Sequence, residues 1–183
     1  LRDYTHKYDY EVNGTVATPG AADQNCTSDP YFGRKIAGGC YVSGEGSYVQ
    51  KIGDYYFLFL SYGGLNPSQG YQIRIFRSTS PEGPFTDANG TSARFTSYAL
   101  NYGAHATDNR GVLLMDGYQW QTMPKGEVAQ GHNSAFVDDK GRAFVVYHTK
   151  FNDGTYGHEV RVHQLFLNED GWLVASPYEF SGS

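Results

Sequence analysis

From Glu45 to Pro84 and again from Asn133 to Val174 the chain reads as short strands of apolar and alternating positions, interrupted at short intervals by glycine-bearing turns. Tyr48–Ile52 predicts a strand, Gly53-Asp54 a turn, and Tyr55–Tyr62 a second strand apolar enough to be buried on both faces. A polar loop over 63–70 leads to Tyr71–Arg77, where Ile73 and Ile75 share a face opposite Arg74, and Ser80-Pro81-Glu82-Gly83-Pro84 closes the unit. A second unit follows: strands at Asn133–Val137, Ala143–His148 and Glu159–Leu167, then the hairpin signal Asp170-Gly171 before Trp172-Leu173-Val174. Between the two units, residues 85–127 hold only short candidates such as Val112–Met115 and are expected to form outer strands and loops. Residues 1–43, rich in Gly, Asp, Asn, Thr and Tyr, predict a long irregular segment over a sheet edge or cleft rim.

The two units overlay without a gap at a spacing of 87 residues, so that Gly44 meets Gly131, Ser47 meets Ser134, Phe57 meets Phe144, Gly70 meets Gly157 and Arg74 meets Arg161. Identities are few, but the hydrophobic pattern agrees throughout. Residues 44–84 and 131–177 are therefore read as equivalent antiparallel meanders of three to four strands. Such meanders cannot bury their faces alone; the radial solution among all-β folds is a β-propeller whose innermost strands line a channel. A β-sandwich is the rival, in which the ends of the first strands need not converge.

Composition narrows the field. Twenty-three glycines, 16 tyrosines and 11 phenylalanines with 18% charged residues describe a turn-rich all-β protein. A formal net charge of −5 without a basic run argues against nucleic acid as a partner. No apolar run is long enough for a membrane span. The two cysteines, Cys26 and Cys40, are too few for a disulfide framework and lack the companions of a zinc site, although they could pair with each other. Asn13, Asn25 and Asn89 match the glycosylation pattern, which matters only in a eukaryotic secretory setting.

The overlay gives two residues chemical interest. Glu45, flanked by Gly44 and Gly46, would by itself read as an ordinary charged residue at a strand start, but its counterpart in the second unit is His132. If both begin innermost strands, a carboxyl and an imidazole meet in one partly enclosed place. A carboxyl group shielded from water and close to another carboxylate holds its proton to higher pH and can serve as a general acid, which is glycosidase chemistry. Among the remaining histidines, His148 inside an apolar strand reads as a hydrogen-bonded core residue. His158 and His163, five apart on one predicted strand, face opposite ways and cannot share a metal.

Gly44-Glu45-Gly46-Ser47-Tyr48 with Gly53-Asp54-Tyr55-Tyr56-Phe57, Arg74-Ile75-Phe76-Arg77-Ser78 with Gly83-Pro84-Phe85, Gly131-His132-Asn133-Ser134, Tyr147-His148, His158–His163 and Asp170-Gly171-Trp172 together resemble the arabinanases of glycoside hydrolase family 43, in particular the larger two-domain endo-acting type. The resemblance spans residues 44–178 and implies a five-bladed β-propeller, of which this chain would supply roughly the last two to three blades. It further implies cleavage of α-1,5-linked L-arabinan with inversion, Glu45 being the general acid. His132 would hold one calcium ion whose other ligands are mostly water. The family also needs an aspartate base and an aspartate that tunes the acid. Residues 1–43 offer no convincing match for either, despite Asp3, Asp9, Asp23 and Asp29. Both are therefore expected on sequence outside this chain, together with the earlier blades, carried by another chain. On this reading the chain alone should hydrolyse nothing. A polysaccharide substrate would place the protein outside the cell or in the periplasm. The alternatives are an exo-acting α-L-arabinofuranosidase or β-xylosidase of the same family, and a non-catalytic carbohydrate-binding propeller.

Overall fold

The computed structural model describes residues 36–38, 44–94 and 108–182. Almost all of the irregular segment predicted over 1–43 lies outside them, as do both cysteines, Asn13, Asn25 and the four early aspartates. Eight strands follow one another: β1 (Glu45–Ile52), β2 (Tyr55–Tyr62), β3 (Gln72–Ser78), β4 (Val112–Met115), β5 (Glu127–Val137), β6 (Ala143–Phe151), β7 (Glu159–Leu167) and β8 (Leu173–Ala175). They form two four-stranded antiparallel meanders, β1-β2-β3-β4 and β5-β6-β7-β8. The first meander takes its fourth strand from Val112–Met115, beyond the predicted boundary at residue 84.

The sheets stack face to face, β1 against β5 at one edge and β4 against β8 at the other. Their shared core draws Phe57, Phe59, Ile73, Ile75 and Met115 from the first sheet and Ala135, Val145, Tyr147, Leu165 and Trp172 from the second. The alternate residues of β2 and β3, Leu58, Leu60, Tyr62 and Phe76, turn the other way and pack with Phe85, Ala93, Ile36 and Ala37. This second packing is why Phe57–Tyr62 is buried without a break.

Arg77 bolts the sheets together. Its guanidinium lies 4.4 Å from the Tyr55 ring centre and 4.3 Å from that of Trp172, and its Nη1 donates to the carbonyls of Asp170 (2.6 Å) and Gly171 (2.7 Å). Deeper in the second sheet, buried Glu127 accepts from the hydroxyls of Tyr118 (3.0 Å) and Tyr147 (2.8 Å) and from Gln130 Nε2 (2.7 Å). Burial first, and then the Glu127 charge, push both phenols well above their ordinary range, so they stay protonated as donors.

β5 begins at Glu127, six residues before the strand start expected from the sequence. Its pairing with β6 shifts between Val128 and Gly131 and again between Gly131 and Ser134. Ala129 and His132 take positive φ values of 55° and 50° at these two irregularities. Two bulges in one strand erase the two-residue period by which strands are read.

Candidate functional site

Glu45 and His132 lie side by side at the β1–β5 edge. Gly46 makes this possible: with φ 59°, it lies so close to β5 that a Cβ there would fall 2.8 Å from the His132 Cα. Ser61, opposite Glu45 on β2, accepts a hydrogen bond from the His132 backbone N–H at 2.6 Å. The two residues that the overlay paired are thus joined through main chain. Both side chains are exposed.

Their equivalence is not quite the one the overlay implied. The β2–β3 and β6–β7 ladders do repeat at 87 residues, since Phe57 pairs with Arg77 and Phe144 with Gln164. The innermost strand slips. Ser61 pairs with Glu45, whereas its counterpart His148 pairs with Gly131 rather than with His132. The slip is already present beside the β5–β6 turn, where Phe136 rather than Val137 faces Phe144, and both innermost strands bulge at the matching place, between Glu45 and Tyr48 and between Gly131 and Ser134; His132 lies in the second bulge on a strained backbone.

Tyr71 completes the cluster. The loop before it is closed by a capping box around Asn66, whose Oδ1 accepts from the Ser68 N–H while the Gln69 Oε1 accepts from the Asn66 N–H. Gly70 then turns the chain at φ 63° and delivers Tyr71, buried, to the edge of β3. The Tyr71 hydroxyl donates to Glu45 Oε1 at 2.6 Å. Its ring lies against Gly131, where a Cβ would come within 2.1 Å of Cε1, so only glycine leaves room for it. Burial foremost, followed by the bond to Glu45, pushes the phenol well above its ordinary value. Tyr71 therefore stays a donor.

A file of rings continues from there. Tyr71 stacks on His148 with centroids 5.8 Å apart, and His148 in turn stacks on His132 (6.2 Å) and meets His158 (4.7 Å). His148 is not the hydrogen-bonded core residue expected from its strand: it is half-buried and its Nδ1 has no partner. Burial, then the neighbouring His158 and His132, lower its pKa, so its neutral form is favoured. His158 lies just ahead of β7 in this file, while His163 is buried elsewhere, its Nδ1 2.7 Å from the Ser176 carbonyl and its ring beside Tyr147. The two do not meet. No group of three or more His, Cys, Asp or Glu residues is arranged to hold a metal among the described residues. Sequence reasoning missed Tyr71 and Ser61. The one signal available was Gly131 itself, a glycine in a strand, which marks close approach by another group.

The family model for glycosyl hydrolases family 43 matches residues 27–173. The chain is 44% identical over 162 residues to extracellular endo-alpha-(1->5)-L-arabinanase 2 of Bacillus subtilis, covering 82% of this chain and 34% of that protein. With the extracellular endo-alpha-(1->5)-L-arabinanase of Thermotoga petrophila it shares 40% identity over 158 residues, 82% of this chain and 33% of the relative. A crystal structure of endo-1,5-alpha-L-arabinanase from Thermotoga petrophila superposes with a TM-score of 0.70 at 37% identity, over 85% of this chain and 34% of that one. The chain thus spans about a third of the length of the curated relatives it matches. The two stacked meanders are consistent with the propeller fold of these structural neighbours. With that match across most of its length, the chain belongs to glycosyl hydrolase family 43.

Proposed function

We propose that these residues form the last two to three blades of a five-bladed propeller that cleaves α-1,5-linked L-arabinan with inversion, Glu45 being the general acid. The observation that carries the reading is the Glu45–Tyr71 hydrogen bond beside His132: an exposed carboxyl group is held in one orientation at the edge where both sheets meet. In the reaction the bond from C1 to the glycosidic oxygen breaks and its electron pair goes to that oxygen, which takes the proton of Glu45. Water adds to the opposite face of C1 and gives its proton to a carboxylate base. Inversion requires that base to stand roughly 6.5–9.5 Å from the acid. It is assigned to sequence outside this chain, with the earlier blades, whether on the same protein or on another chain. The names of the relatives support arabinan as substrate and an extracellular or periplasmic setting. No helix among the described residues is long and apolar enough to cross a membrane.

His132 is proposed to hold one calcium ion. Its imidazole is exposed and would offer one nitrogen donor, a set that suits an ion ligated chiefly by water. The charge of such an ion would favour ionised carboxylates nearby and order the water in the cleft.

In the intact protein, Glu45→Gln is expected to abolish cleavage of linear arabinan while leaving circular dichroism and melting unchanged. Near-normal turnover would overturn the assignment. Oligomeric products from the parent enzyme would identify endo action; arabinose alone would identify exo action.

A further inference from the structure

The Glu45 carboxyl is held from one side. Tyr71 donates to Glu45 Oε1 at 2.6 Å, and its ring is seated against Gly131, the residue before His132. A neutral phenol has one proton to give, and Oε1 receives it. With Oε1 engaged as an acceptor, the carboxylic proton is favoured on Oε2.

The geometry points to Tyr71 as a positioning residue that favours the acidic proton on Glu45 Oε2 and holds that oxygen toward the leaving group. The inference rests on the assignment of Glu45 as the acid. The proton that Glu45 gives to the glycosidic oxygen as the C1–O bond breaks leaves from Oε2. Oε1 keeps its bond to Tyr71 throughout, so the carboxylate formed is still hydrogen-bonded.

The test uses Tyr71→Phe in the intact protein, with kcat and KM measured on linear arabinan and on an arabino-oligosaccharide bearing a nitrophenol leaving group, which departs without protonation. Tyr71→Phe is expected to lower kcat on arabinan by about ten- to a hundred-fold, the cost of a misplaced catalytic group. KM should change little, and the nitrophenyl substrate should lose only a few-fold. Equal losses on both substrates, or none on either, would overturn the inference. Glu45→Gln, run alongside, separates the two failures. If it keeps arabinan turnover, the acid assignment itself is wrong. If it abolishes turnover while Tyr71→Phe shows no leaving-group dependence, only the positioning role falls.

Discussion

Gly46 and Gly131 do by absence what Tyr71 and Ser61 do by hydrogen bonding. One lets the β1 backbone reach that of His132; the other lets the Tyr71 ring lie flat on β5. His132 then takes a left-handed conformation that a residue with a Cβ enters only under constraint, and such strain concentrates where a side chain must be aimed. The proposed calcium site can be checked at this residue alone. His132→Ala is expected to reduce bound calcium in the intact protein from about one equivalent to near none, read by elemental analysis after gel filtration, while the Ser61 bond to the main chain survives. Unchanged calcium content would remove His132 from the site.

Elements differed in how plainly the sequence announced them. β2 and β7 run over the residues that the apolar pattern marked, because a strand packed on both faces or alternating cleanly leaves an unambiguous period. Glu45 and His132 were legible as a pair through the repeat. Two things were not. The bulges in β5 hide its first six residues, and Tyr71 reads as the first residue of an alternating strand although its hydroxyl spans to a residue 26 positions earlier. A contact of that kind depends on how loop 63–70 closes, which no local period encodes. The join between sheets is similarly long-range. Arg77→Ala removes two charge-assisted hydrogen bonds and two ring contacts, and is expected to cost on the order of 3 kcal/mol in urea unfolding. Arg77→Lys should recover only part of this, since an ammonium cannot lie flat between Tyr55 and Trp172. Full recovery would mean that charge alone holds the join.

At the scale of the whole molecule the two sheets are unequal. The outer face of the first is covered by Ile36, Ala37, Phe85 and Ala93, whereas on the second Phe136, Val160, Phe166 and Val174 share a face, and all four are exposed. On the same face Phe144 is buried beneath Phe136, Phe180 and Arg142, and the exposed apolar residues around it are what a neighbouring blade would cover. This chain expressed alone is expected to bind the dye ANS and to self-associate. The double variant Phe136→Ser, Val160→Thr should bind less dye with little change in melting, because neither side chain belongs to the core between the sheets. Dye binding equal to that of a fully buried protein would show the face to be covered.

The one-residue slip of the innermost strand bears on how such sites diversify. The middle ladders keep their spacing and carry the packing, while the turns that join the innermost strands to them differ, two residues at Gly53-Asp54 and five over 138–142, without disturbing the Phe57–Arg77 or Phe144–Gln164 pairing. A short insertion or deletion there would therefore exchange the side chain shown at the sheet edge, carboxyl for imidazole or either for something else, at little cost to folding. Variation in chemistry among related blades should accumulate as shifts of register in this one strand more readily than as substitutions in the other three.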